Sequence, residues 1–70
     1  MRIIFTKHAI KRMVERNIKE NVIREAIDLP DYSVSKDNII EVHKKMGRET
    51  IKVVYEKRDN YIKIISVMWR

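Results

Sequence analysis

The sequence has no cysteine, one glycine and one proline among its 70 residues. Without cysteine no disulfide can form, and a zinc site of the cysteine-rich kind is excluded. That suits a reducing compartment, so a cytoplasmic location is expected. A single glycine leaves no phosphate-binding loop of the glycine-rich type. Long apolar runs are also missing. The stretch from Ile62 to Met68 is broken by Lys63 and Ser66, so no membrane-spanning helix is expected. The opening Met1-Arg2-Ile3-Ile4-Phe5-Thr6-Lys7 is too short an apolar run for a signal peptide. The length predicts one compact domain over residues 1–70, which on folding buries only about 60 % of its extended-chain surface.

What the chain has is positive charge. Sixteen Lys and Arg against ten Asp and Glu give a net charge of +6. The charge is unevenly spread: +4 over residues 1–16, −3 over 17–41 and +5 over 42–70. If the two basic parts meet in space they make a surface suited to a polyanion. A solvated surface that keeps a small protein soluble has the same composition.

The first half has helical periodicity. Arg2–Phe5 reads as a short strand, and Thr6 supplies an N-cap. Ala9, Ile10, Met13 and Val14 predict one buried face on a helix from Lys7 to Arg16. Asn17 tolerates a left-handed backbone and marks its end. Val22, Ile23, Ala26 and Ile27 predict a second helix from about Glu20 to Asp28, ended by Pro30. The second half changes to period two. Ile39–Met46, Thr50–Lys57 and Tyr61–Trp69 read as strands joined by turns at Gly47 and at Arg58-Asp59-Asn60. Tyr32–Ser35 adds a short first strand. These patterns predict an α+β fold, with two N-terminal helices packed on an antiparallel sheet of three or four strands.

Chemistry-bearing residues are few. His8, Arg12 and Arg16 fall at i, i+4 and i+8 on one side of the first helix. A neutral histidine beside two guanidinium groups can act as a general base next to a phosphate. On spacing alone, a solvated helix face with Glu15 pairing Arg12 or Lys11 is the simpler account. His43 shares one strand phase with Glu41 and Lys45, and a surface position on the strand is the simpler account of it. Two histidines could serve as acid and base in metal-free phosphodiester cleavage, with Lys or Arg stabilising the transition state. Lys52, Tyr55, Tyr61, Lys63 and Trp69 interleave basic and aromatic groups, a composition suited to stacked bases. Tyr55 alternates with Ile51 and Val53, which also fits a place in the core. No metal-ligand spacing is present, and no metal or other cofactor is expected.

The segment Phe5-Thr6-Lys7-His8-Ala9-Ile10-Lys11-Arg12-Met13-Val14-Glu15-Arg16-Asn17-Ile18 resembles [FY]-[ST]-x-H-A-x-x-R-M-x-x-R-x-I. That pattern opens a family of small prokaryotic domains of unknown function, which in turn resembles the BrnT-type and RelE/ParE-type toxins of toxin–antitoxin pairs. Leu29-Pro30-Asp31, Val53-Val54-Tyr55 and Ile65–Trp69 extend the likeness over nearly the whole chain. It departs at Asn17 and Lys19, where relatives often carry Gly and Ser. The resemblance implies a RelE/BrnT-like ribonuclease toxin fold and metal-independent cleavage of RNA. Carried over residue by residue, it picks His8, Arg12 and Arg16 as catalytic positions. Lys44, Lys45, Lys52 and Tyr55 become the nucleic-acid contacts. The partners it implies are RNA and an acidic antitoxin. A homodimer is a further expectation, since a core this small gains from added burial. A non-catalytic basic module binding nucleic acid or a protein is the alternative reading.

Overall fold

The computed structural model describes residues 2–70. The chain runs β1 (Arg2–Phe5), α1 (Lys7–Glu15), α2 (Glu20–Asp28), β2 (Tyr32–Lys36), β3 (Ile39–Met46), β4 (Glu49–Lys57) and β5 (Tyr61–Trp69). The fold is α+β, with α1 lying over β5 and α2 over β3 and β4. The sheet exceeds the expected three or four antiparallel strands. It has five, in the order β1-β5-β4-β3-β2, and β1 runs parallel to β5. Ile3 and Phe5 align with Ile62 and Ile64, so the first strand adds its apolar side to the helix-covered face. A parallel neighbour needs a long connection, and everything from α1 to β4 supplies it.

Local chemistry sets the helix ends. Thr6 Oγ1 accepts the Ala9 N–H at 3.0 Å, which caps α1, and its hydroxyl donates to the Ile64 carbonyl at 3.0 Å. At the other end Asn17 takes φ 53°, and the Ile18 N–H reaches back to the Met13 carbonyl at 2.9 Å. With the Asn17 N–H directed at the Val14 carbonyl, this is a Schellman closure with asparagine in the left-handed position. It turns Ile18 inward to 3 % exposure. Lys19 gives α2 no side-chain cap, and the helix starts at Glu20.

The core lies between the helices and one sheet face. Ala9, Ile23 and Ala26 pack on Val42, Ile51, Val53, Ile64 and Val67. Ile10 and Val14 do not join them, contrary to the predicted buried face, and are 50 % and 78 % exposed. The Ala9–Met13 line of α1 meets the sheet, and among the described residues the rest of the apolar stripe is left uncovered. A second departure lies in β5. The register shifts at Val54/Tyr55, so Val54 pairs with Ser66 but Tyr55 with Ile64. Strict alternation along β5 would put Tyr61, Lys63, Ile65, Val67 and Trp69 on one side, and this bulge divides them. Tyr61 and Lys63 lie on the open face, and Val67 and Trp69 lie under the helices.

Thr6 couples α1 to the sheet. Thr6→Ala is expected to lower stability by about 1–2 kcal/mol, while Thr6→Ser retains most of it. Urea unfolding midpoints test this, and an unchanged midpoint in the alanine variant would show that the cap contributes nothing.

Candidate functional site

The helices occupy one sheet face and leave the other open. Cross-strand register assigns side chains to that open face. His43 pairs with Lys52 and with Tyr32, and Glu41 pairs with Val34 and Val54. Lys45, opposite Thr50, and Lys63, opposite Glu56, lie on the same side. The open face therefore collects Arg2, Lys36, Lys45, Lys52, Lys63 and Arg70 against two acids, Glu41 and Glu56. Glu56 is bound by Arg58 at 2.9 Å.

At its centre is a cluster around His43, which is only 8 % exposed although no helix covers it. Its ring Nδ1 lies 2.9 Å from an Arg70 Nη1. A guanidinium can only donate, so Nδ1 accepts and the ring proton resides on Nε2. Nε2–H donates to Glu41 Oε2 at 2.7 Å. The other Glu41 oxygen is 3.5 Å from Lys52 Nζ. Tyr32, 60 % exposed, brings its ring centroid to 5.5 Å from that of His43 at a tilt of 59°. The hydrogen bond from His43, followed by the Lys52 ammonium, holds the Glu41 carboxyl below its ordinary value. A neutral imidazole oriented by a carboxylate, with a lysine and an arginine in reach, can move a proton beside a phosphate.

The sequence-derived positions divide between the two sides of the sheet. His8 is exposed on α1, on the covered side. Arg12 Nη1 donates to Glu15 at 2.8 Å and holds that carboxyl below its usual range. Arg16 Nη1 donates to the Val67 carbonyl at 2.9 Å, and the Arg16 carbonyl accepts the Trp69 indole N–H at 3.0 Å. That pair of bonds fastens α1 to β5. Lys44 faces the helices and donates to the Leu29 carbonyl at the end of α2 at 2.9 Å. Tyr55 is 9 % exposed in the core, and burial pushes its phenol up. Lys45 and Lys52 share the open face with His43. Thus His8, Arg12 and Arg16 are not brought together with Lys45 and Lys52.

Sequence reasoning left His43, Glu41 and Arg70 out of the assigned site residues. The strand phase joining Glu41 to His43 was visible. So was the turn at Gly47, which sets His43 opposite Lys52. Arg70 reaches the cluster through the register shift in β5, which no pattern in the sequence marks. Among the described residues, no group of three His, Cys, Asp or Glu is placed to hold a metal. None of their helices is long and apolar enough to cross a membrane.

Residues 5–69 match the family model described as Domain of unknown function (DUF4258). The chain belongs to this family. No curated protein and no solved structure matches it. The DUF4258 match spans both helices and all of β2 to β5, so all of the His43 cluster except Arg70 falls within the family's extent.

The His43–Glu41 contact has a pH signature. A carboxyl held low in the folded chain adds stability above its unfolded value. That stability is lost as the pH falls through the folded value. Stability of the parent is thus expected to decline on acidification below the ordinary 4.5 of Glu41. Glu41→Gln should flatten that decline, as read from urea midpoints taken from about pH 5 downward. An unchanged slope would mean that the carboxylate is not held by His43 and Lys52.

Proposed function

We propose that this chain is an endoribonuclease of the toxin type that cleaves RNA without a metal cofactor, with His43 as its acid–base group. The observation that carries the reading is the neutral His43, held between Glu41 and Arg70 with Lys52 beside them, on an uncovered and net-basic sheet face. The toxin class comes from the sequence resemblance. A RelE/BrnT-like fold is part of the same reading, and two helices on one sheet face support it.

In this reaction the phosphate of a bound RNA draws the Arg70 guanidinium from His43 Nδ1 to a non-bridging oxygen. The freed Nδ1 takes the proton of the adjacent ribose 2′-hydroxyl. The 2′-oxygen attacks phosphorus, the bond to the 5′-oxygen breaks, and a 2′,3′-cyclic phosphate forms. Glu41 stabilises the imidazolium through Nε2–H. Lys52 and Arg70 offset the charge on the pentacoordinate phosphorus, and the imidazolium returns its proton to the leaving 5′-oxygen, directly or through water. Lys45 contacts a flanking phosphate. An acidic antitoxin segment laid over this face would neutralise it. The site of action is the cytoplasm.

The test is cleavage of a single-stranded RNA by purified protein in excess chelator. The parent is expected to leave cyclic phosphate ends. His43→Ala should lose about 10²–10⁴-fold in rate, and Lys52→Ala should also fall, both variants remaining folded. His8→Ala should stay near the parent. Loss in His8→Ala with activity kept in His43→Ala would move the chemistry to α1. Salt-sensitive RNA binding without cleavage would establish the non-catalytic binding module instead.

A further inference from the structure

Strand β2 forms one edge of the sheet, and all five of its residues are exposed. Its outer backbone groups have no neighbouring strand. Tyr32 and Val34 on this strand, with Leu29 and Ile39 flanking it in sequence, are four of the six exposed large apolar side chains among the described residues. Soluble proteins commonly guard such an edge with a proline, a bulge or an inward-pointing charge. Between Tyr32 and Lys36 there is no proline and no bulge, and the one charge, Lys36, stands at the end.

The sequence of the strand is complementary to itself. Reading Tyr32-Ser33-Val34-Ser35-Lys36 against a reversed copy sets Val34 opposite Val34, Ser33 opposite Ser35 and Tyr32 opposite Lys36. Apolar meets apolar, hydroxyl meets hydroxyl and an ammonium meets an aromatic ring. Each is a favourable cross-strand pair. Lysine never faces lysine. Both faces match at once, because Tyr32, Val34 and Lys36 point to the open side and the two serines to the helix side. Asp31 and Asp37 lie outside the five-residue ladder, and Asp31 is turned onto β3, where it accepts the Lys45 N–H at 2.8 Å. An antiparallel strand pair centred on one residue is two-fold symmetric, so the contact closes on itself and forms a dimer.

We propose that β2 is a homodimerisation edge, on which a second copy of this chain pairs antiparallel about Val34 to make one ten-stranded sheet. The assembly stands independently of RNA cleavage, but it bears on the face where that reading sits. It joins two open basic faces into one surface. It also sets the partner's Lys36 over Tyr32, the ring that touches His43. A strand pair of this length buries less than the 1,200–2,000 Å² typical of stable complexes. The dimer is therefore expected to be weak and concentration-dependent.

The test combines sedimentation equilibrium with cysteine cross-linking, which is clean in a chain that has no native cysteine. The full chain should move from monomer to dimer with concentration. Val34→Lys, which brings two ammonium groups together on the two-fold axis, should stay monomeric while its circular dichroism and melting match the parent. Under mild oxidation, or with a short bismaleimide, Val34→Cys should cross-link to itself. Lys36→Cys should not, because the two copies of that position lie four residues apart along the ladder. A parent that is monomeric at every concentration would overturn the proposal. So would a dimer that survives Val34→Lys, or self-cross-linking of Lys36→Cys equal to that of Val34→Cys. A chain that dimerises only when an acidic peptide is added would show that the edge serves another partner, and would overturn it too.

Discussion

Two helices of nine residues each, about 14 Å long, cannot cover both faces of a five-stranded sheet. The rest of the molecule follows from that shortage. Most apolar side chains of the sheet turn to the helix side, where Ile51, Ile64, Val42, Val53 and Val67 are fully buried together with Ile23 of α2. The other side must tolerate water, as one face of an antiparallel sheet can. Its composition is accordingly mixed: lysines, two tyrosines, two glutamates and aliphatics that are exposed or half-buried. His43 is buried here by Tyr32, Glu41 and Arg70 rather than by a second layer. The cluster is a patch of polar packing on an otherwise wet surface.

Much of the architecture was legible because local signals and global packing agree. Thr6, Asn17 and Pro30 are boundary residues with clear mechanisms, and each helix ends where they set it. The Gly47 turn, at φ 69°, fixes the β3–β4 register. What escaped was the number of strands and the phase of the last one. Arg2–Phe5 carries a strand pattern, but nothing in four residues says which neighbour they will join or in which direction. The bulge near Ile65 is likewise silent. Strand phase is a binary property, so one extra residue moved Trp69 under the helices and sent Arg70 to His43.

The same reasoning explains why the arginines of the first helix serve its packing. His8, Arg12 and Arg16 do stack along one side of α1, as their spacing requires. Spacing, though, says nothing about what lies opposite. Arg16 faces the backbone of β5 and is committed to Val67 and Trp69. Arg12 is committed to Glu15. A motif that is dense in charged residues can thus be dense for structural reasons. Here Arg16 joins the helix to the strand on which it packs.

The two acids on the open face decide its electrostatic character. Left free, Glu41 and Glu56 would weaken the attraction of a polyanion to the sheet. Each is instead held by a neighbour, Glu41 by His43 and Lys52 and Glu56 by Arg58. An incoming anion thus meets Lys45, Lys63 and Lys36 before any unpaired carboxylate. Pairing also places Arg70 in a competition. Its present partner is a neutral ring nitrogen, and a guanidinium binds a phosphate oxygen more strongly than a neutral acceptor because the bond is charge-assisted. In the proposed reaction, binding of an anion at the cluster and release of the His43 lone pair would then be one event. The base would be masked in the free chain and exposed only beside a phosphate, with Glu41 on the far side of the ring, 2.7 Å from Nε2, placed to stabilise the imidazolium.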